Sequence, residues 1–189
     1  MVGDECCDDG NLLGNDGCPS NCTLTQRQVF VTSVTHNGDF NGLAGADMFC
    51  QNLAEIAGLT GTFRAWLSTN TTSPVGDWEP TAACDLPYVR LDGVPVALTW
   101  GDLLDGSLLN DISIDESGQN AELSGITYNV WTGTEADGTA AVDRCSNWTS
   151  TSGLGEYGGL NQSDYEWIAY SEVWCSNINR LYCFEHQSP

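Results

Sequence analysis

Lysine is absent from this 189-residue chain, and five arginines and two histidines stand against 26 acidic residues, a formal net charge of -21. Phosphate backbones and anionic bilayer surfaces are held by Lys and Arg, so such a field excludes nucleic acid and acidic membranes as expected partners. The same field repels heparin, itself a polyanion, and sets it aside as a ligand. Two His offer little for a zinc knuckle, and the one paired CxxC-like element, Cys18-Pro-Ser-Asn-Cys22, has four-residue spacing and no matching second knuckle. The chain contains no apolar run of about eighteen residues, the length a spanning helix requires, and no signal segment opens it. Met1 is expected to begin a fragment whose secretion signal and upstream part lie elsewhere.

Catalytic patterns are equally scarce. A Ser, Cys or Thr nucleophile needs a base within hydrogen-bond reach, and only His36 and His186 are available, one near a turn and one in the C-terminal tail. GxSxG, HExxH and phosphate-loop patterns are missing, and nothing singles out a carboxylate pair for glycoside hydrolysis. The chain reads as a non-enzyme.

What is present is a core and a framework of cysteines. Apolar residues make up 41 % of the chain, with seven Trp, which is enough for one globular domain. Nine Cys in a chain of this size point to disulfides formed in an oxidising compartment, hence to a secreted or cell-surface protein. Composition divides the chain into a cysteine-rich module over residues 1–24 and a main domain over residues 28–189. The excess of carboxylates favours cations and also fits a protein kept soluble in a salty medium. In the first module Asp8, Asp9, Asn11, Asn15 and Asp16 sit between Cys7 and Cys18, with Gly10, Gly14 and Gly17 supplying bends. Hard oxygen ligands on a Gly-bent loop are what calcium requires, so calcium is the expected cofactor there; the competing reading is an acidic turn held only by its disulfides.

In the main domain, Val29 to Val34 is β-branched and aromatic and stops at the Asn37-Gly38 turn signal, as a strand does. Ala46, Phe49, Cys50, Leu53, Ala54 and Ala57 recur at helical spacing and end at Gly58. Phe63 to Ser68 alternates like a strand, residues 69–88 read as loop, and Thr99 can cap a short second helix. Further on, NVWTGT, CSNWTS, IAYS and the terminal LYCF read as short strands. One or two helices among many short strands make an α+β domain.

Four separated blocks, LAGADMFCQNLAEIAGLTGTFRAWLS, TWGDLLDGSL, VWTGTEADGTAAVDRCSNWTS and WCSNINRLYCFE, resemble in order and spacing the corresponding segments of endostatin, a collagen-derived domain. They are closer still to a bacterial family of endostatin-like surface domains that open on a similar VFVTS run. The resemblance covers Val29 to Glu185 and implies a C-type lectin-like (endostatin-like) α+β fold with mixed twisted sheets, one or two helices and long loops. The opening DECCDDGNLLGNDGCPSNC is similar to a cysteine-rich repeat of secreted myxobacterial proteins. Cys7, Cys18 and Cys22 fall on that pattern, and Cys6 stands where it has Glu.

The resemblance also implies nested disulfides, Cys50 with Cys183 and Cys145 with Cys175, each constraining the unfolded chain by roughly 3 to 5 kcal/mol on the loop-entropy model. Cys84 has no family partner, and Cys6 is left open with it. The heparin and zinc ligands of endostatin do not transfer, because the arginines are scattered (Arg27, Arg64, Arg90, Arg144, Arg180) and the histidines are missing. The lectin-type calcium triplet is also absent; Glu79-Pro80-Thr81 only grazes it.

The most ligand-like stretch lies between the inner cysteines, from Ser152 to Trp174. There Tyr157, Asn161, Gln162, Asp164, Tyr165, Trp167 and Trp174, with Tyr170 among them, mix flat aromatic faces with amides and carboxylates on a loop-rich segment. Trp66, Trp100, Trp131 and Trp148 are expected in the core. The expected function is extracellular recognition or adhesion, as part of a larger surface or secreted protein, with a glycan or protein ligand bound through loops. The alternative is a structural subunit or linking module of an extracellular assembly, whose partners are other copies of itself.

Overall fold

A computed structural model describes residues 26–78, 80 and 85–186. Asp8, Asp9, Asn11, Asn15, Asp16, the cysteines of the first module and Cys84 lie outside the described residues. Eight strands form one mixed sheet: β1 (Arg27–Val31), β2 (Thr62–Ala65), β3 (Tyr88–Arg90), β4 (Pro95–Ala97), β5 (Asn129–Trp131), β6 (Leu154–Gly159), β7 (Ser171–Trp174) and β8 (Arg180–His186). Their order is β4-β3-β1-β8-β5-β6-β7, with β2 also paired to β8. Central β8 runs antiparallel to β1 and β2 and parallel to β5. Few helices and long connections complete an α+β domain, as the alternating patterns predict.

Both faces of the central strands are covered, which is why VFV and LYCF read as unbroken apolar runs rather than as polar-apolar alternation. Phe30, Trp131, Leu181 and Cys183 face the amphipathic helix α1 (Leu43–Ile56), which buries Ala46, Cys50 and Ala54 against them. Their strand neighbours Val29, Val31, Val130, Tyr182 and Phe184 point the other way, into a second core with Trp66, Trp100 and Trp167. The helix stops where Gly58 takes a φ of 76°, its N–H donating to Glu55 O at 3.0 Å while Leu59 N–H reaches Ala54 O at 2.9 Å. Two single-turn helices, α2 (Pro74–Asp77) and α3 (Trp100–Leu103), start at the side-chain oxygens of Ser73 and Thr99. The Thr99 cap matches the sequence reading, whereas α2 interrupts a stretch that reads as loop.

Disulfides join Cys50 to Cys183 and Cys145 to Cys175, the nested arrangement that the endostatin resemblance implies. The outer bridge ties α1 to β8. The inner one anchors an unusual element: CSNWTS is not a strand, because Cys145, Ser146, Asn147 and Trp148 all have φ between 49° and 65°, one full left-handed turn. Such a turn costs roughly 1 to 2 kcal/mol per residue in an L-chain. Non-local ties hold it: Trp148 O accepts from Phe40 N and Gly42 N, Asn147 Oδ1 accepts from Asn70 N, and the buried Trp148 indole donates to Ser68 O. IAYS also departs from its reading. The strand begins only at Ser171, after a 3-10 turn over Tyr165–Trp167.

Candidate functional site

Strand β6 runs between β5 and β7 at one end of the sheet, with Asn129 opposite Gly159, Trp131 opposite Tyr157, and Tyr157 opposite Ser171 on its other side. Because directly paired residues share a face, Trp131 and Tyr157 lie together, and Asn129 sits beside the bare backbone of Gly159. Leu160, wholly buried, anchors the turn that follows, and its N–H donates to Tyr128 O at 2.9 Å. Asn161 and Gln162 project from that turn, and Gln162 N–H closes it on Gly159 O at 3.0 Å.

These elements enclose an open cleft of about 340 Å³ lined by Tyr128, Asn129, Tyr157, Gly159, Asn161, Gln162 and Tyr170. Tyr157 and Tyr170 stack with ring centroids 5.7 Å apart and an interplanar angle of 29°. A backbone bond from Tyr170 N–H to Tyr157 O at 2.8 Å keeps the two rings together. Tyr128 and Tyr170 are each about half exposed, at 49 % and 51 %. Burial, then neighbouring Tyr170, Glu156 and Glu172, raises the pKa of the Tyr157 hydroxyl above the ordinary tyrosine value, so it keeps its proton. A Cβ on Gly159 would come 2.8 Å from Gln162 Cγ, so glycine leaves the room in which that amide lies.

Of the side chains expected to face a ligand, the structure brings Tyr157, Asn161 and Gln162 into this cleft. Tyr165 and Trp174 are exposed, at 51 % and 63 %, but outside it. Asp164 serves its own backbone, capping the following turn by accepting from Glu166 N at 3.0 Å. Trp167 is a correction: it is 1 % exposed and packs on Trp66, Tyr182 and Phe184, because a single 3-10 turn sends Tyr165 outward and Trp167 inward. Sequence reasoning missed Tyr128 and Asn129, whose place depends on pairing to a strand far along the chain. Their one local signal is the Tyr-Asn pair at the mouth of the NVW strand.

Two further buried polar groups, on β8 and β6, lie outside the cleft lining. Arg180, 1 % exposed, donates through Nε to Thr127 O at 3.2 Å and through Nη2 to Ser124 Oγ at 2.7 Å, and Nη1 donates to Thr32 O. It thereby pins the segment leading into Tyr128. Glu156, on the β6 face opposite Tyr157, is 5 % exposed, and burial first, then Glu172, Glu135 and Asp143, push its carboxyl up to about 8. Among the described residues no group of three or more His, Cys, Asp or Glu side chains is placed to hold a metal ion. No helix there is long and apolar enough to cross a membrane.

Fold and site together define a disulfide-bonded α+β domain with a mixed sheet and an open aromatic-amide cleft at one end. The chain belongs to the family described as protein of unknown function DUF1554, which matches residues 33–165. That span contains α1, the left-handed turn, β6 and every cleft residue except Tyr170. Among curated proteins none matches the chain.

Proposed function

We propose that this protein is an extracellular recognition or adhesion domain of a larger surface or secreted protein, binding a glycan or protein ligand through the cleft beside β6. One observation carries the reading: Tyr157, Asn161 and Gln162, read from sequence as ligand-facing, line one open cleft together with Tyr128, Asn129 and Tyr170. Amphipathic rings and adjacent amides are common equipment of binding surfaces. The two disulfides fit an oxidising, extracellular setting. The resemblance to endostatin-like, C-type lectin-like surface domains and to a cysteine-rich secreted repeat supports the same setting, and calcium belongs to this proposal only at Asp8, Asp9, Asn11, Asn15 and Asp16. The alternative, a linking module of an extracellular assembly, rests on the cysteine-rich segment.

The test is an array of purified cell-surface and matrix proteins and of glycans, probed with wild type and with a Tyr157→Ala, Asn161→Ala, Tyr170→Ala variant of matched melting temperature. Loss of the wild-type signals in the variant is expected. Equal binding by both would overturn the site, and covalent multimers formed through the first module would favour assembly instead.

A further inference from the structure

On a chain with 26 acidic residues and a net charge of -21, the cleft is lined by three tyrosines, three amides and a glycine, with no Asp, Glu, Arg or His among the described residues that wall it. We infer that it takes an uncharged sugar ring, laid on the Tyr157–Tyr170 stack and held at its edge by Asn129, Asn161 and Gln162, without a metal ion. This inference rests on the recognition reading and names its ligand class.

The chemistry of the walls selects among ligands. A pyranose has an apolar C–H face and a rim of hydroxyls that both donate and accept. Tyrosine faces carry the negative side of the ring quadrupole and attract C–H groups, while a primary amide supplies two donors and one acceptor oxygen, the pairing a hydroxyl needs. Sialylated, uronic or sulfated sugars find no cation in the walls and meet the field of the whole chain. Calcium-bridged binding draws its strength from charged carboxylates among the oxygen ligands, and the lining side chains offer only neutral amide and hydroxyl oxygens. A quaternary ammonium is bound by rings set around it; Tyr157 and Tyr170 instead lie only 29° from parallel, and the amide donors would go unused. The volume, about 340 Å³, falls at the small end of ligand pockets, roughly 300 to 1,000 Å³, which suits one or two sugar residues of a longer chain. Gly159 contributes by lacking a side chain, since a Cβ would press on Gln162.

The test is saturation-transfer NMR and calorimetry on the whole chain with neutral oligosaccharides of glucose, galactose, mannose and N-acetylglucosamine at millimolar concentration, in EDTA. Parallel arms carry sialylated and sulfated oligosaccharides and choline. At least one neutral oligosaccharide should bind, with transfer from tyrosine protons and no effect of EDTA. Tyr157→Ala and Tyr170→Ala should each weaken it about tenfold. Tyr170→Phe should keep most of the affinity, and Gly159→Ala should reduce it in a folded protein. Silence of every neutral oligosaccharide, loss of binding in EDTA, preference for choline or an anionic sugar, or indifference to the tyrosine variants would each overturn the inference. If the sugars fail while a purified surface protein binds wild type and not the triple variant, the recognition reading survives and the sugar does not. If the triple variant changes nothing, both fall.

Discussion

Glu156 of β6 lies directly across the antiparallel ladder from Glu172 of β7. Like charges placed so are destabilising, and the structure avoids the conflict by keeping Glu156 buried and protonated, its carboxyl pushed up to about 8 by burial first and then by Glu172, Glu135 and Asp143. The folded chain therefore holds a proton that the unfolded chain releases near the ordinary value of 4.5. Where the folded state binds more protons, stability falls as pH rises. The contribution of Glu156 is complete below about pH 4.5 and is lost as pH climbs through about 8. Denaturant midpoints measured from pH 4 to pH 9 should decline more steeply for wild type than for Glu156→Gln. Parallel curves for the two proteins would show that Glu156 titrates in the folded chain at its ordinary value.

The left-handed turn at Cys145–Trp148 predicts a stabilising substitution. Ser146 has a φ of 54° and an exposed side chain with no hydrogen-bond partner among the described residues, while its carbonyl accepts from Thr149 Oγ1 at 2.7 Å. Glycine adopts this conformation without the Cβ clash, at some cost in unfolded-state entropy. Ser146→Gly should raise unfolding free energy by about 0.5 to 1 kcal/mol, read from urea melts. Trp148→Gly, at the same kind of φ but with its indole fully buried, should be severely destabilising. A loss of stability in Ser146→Gly would mean that the turn is not strained at that position.

Arg180 holds the approach to Tyr128 through bonds to Thr127, Ser124 and Thr32 that a point-like ammonium cannot reproduce together. Arg180→Lys should cost roughly 2 to 4 kcal/mol. It should also speed hydrogen exchange at the Leu160 amide, whose bond to Tyr128 O closes the cleft wall, more than at the Leu59 amide at the end of α1. Uniform acceleration at both amides would assign Arg180 to global stability alone.

Some of this protein is written in local sequence. The three- and four-residue spacing from Ala46 to Ala57 and the glycine after it specify α1, since periodicity and a left-handed cap are properties of neighbouring residues. Apolar runs at Val29–Val31 and Leu181–Phe184 specify strands buried on both faces, and Thr99 marks its short helix. The mix of tyrosine and amide between Cys145 and Cys175 marks the segment that supplies Tyr157, Asn161, Gln162 and Tyr170 to the cleft.

Other features were decided only when distant segments met. CSNWTS has a strand's composition, yet Phe40, Gly42, Asn70 and the bridge to Cys175 draw it into a left-handed turn that no local preference favours. Tyr165 and Trp167 read alike, two aromatics in one loop. The core beneath them, formed by Trp66, Tyr182 and Phe184, admits only the second. Tyr128 and Asn129 join the cleft because β5 pairs with β6 in the register that sets Asn129 against Gly159. Composition and periodicity act over a few residues, whereas strand register and the sorting of aromatics between core and surface depend on which distant backbone presents a free edge and which cavity remains to be filled.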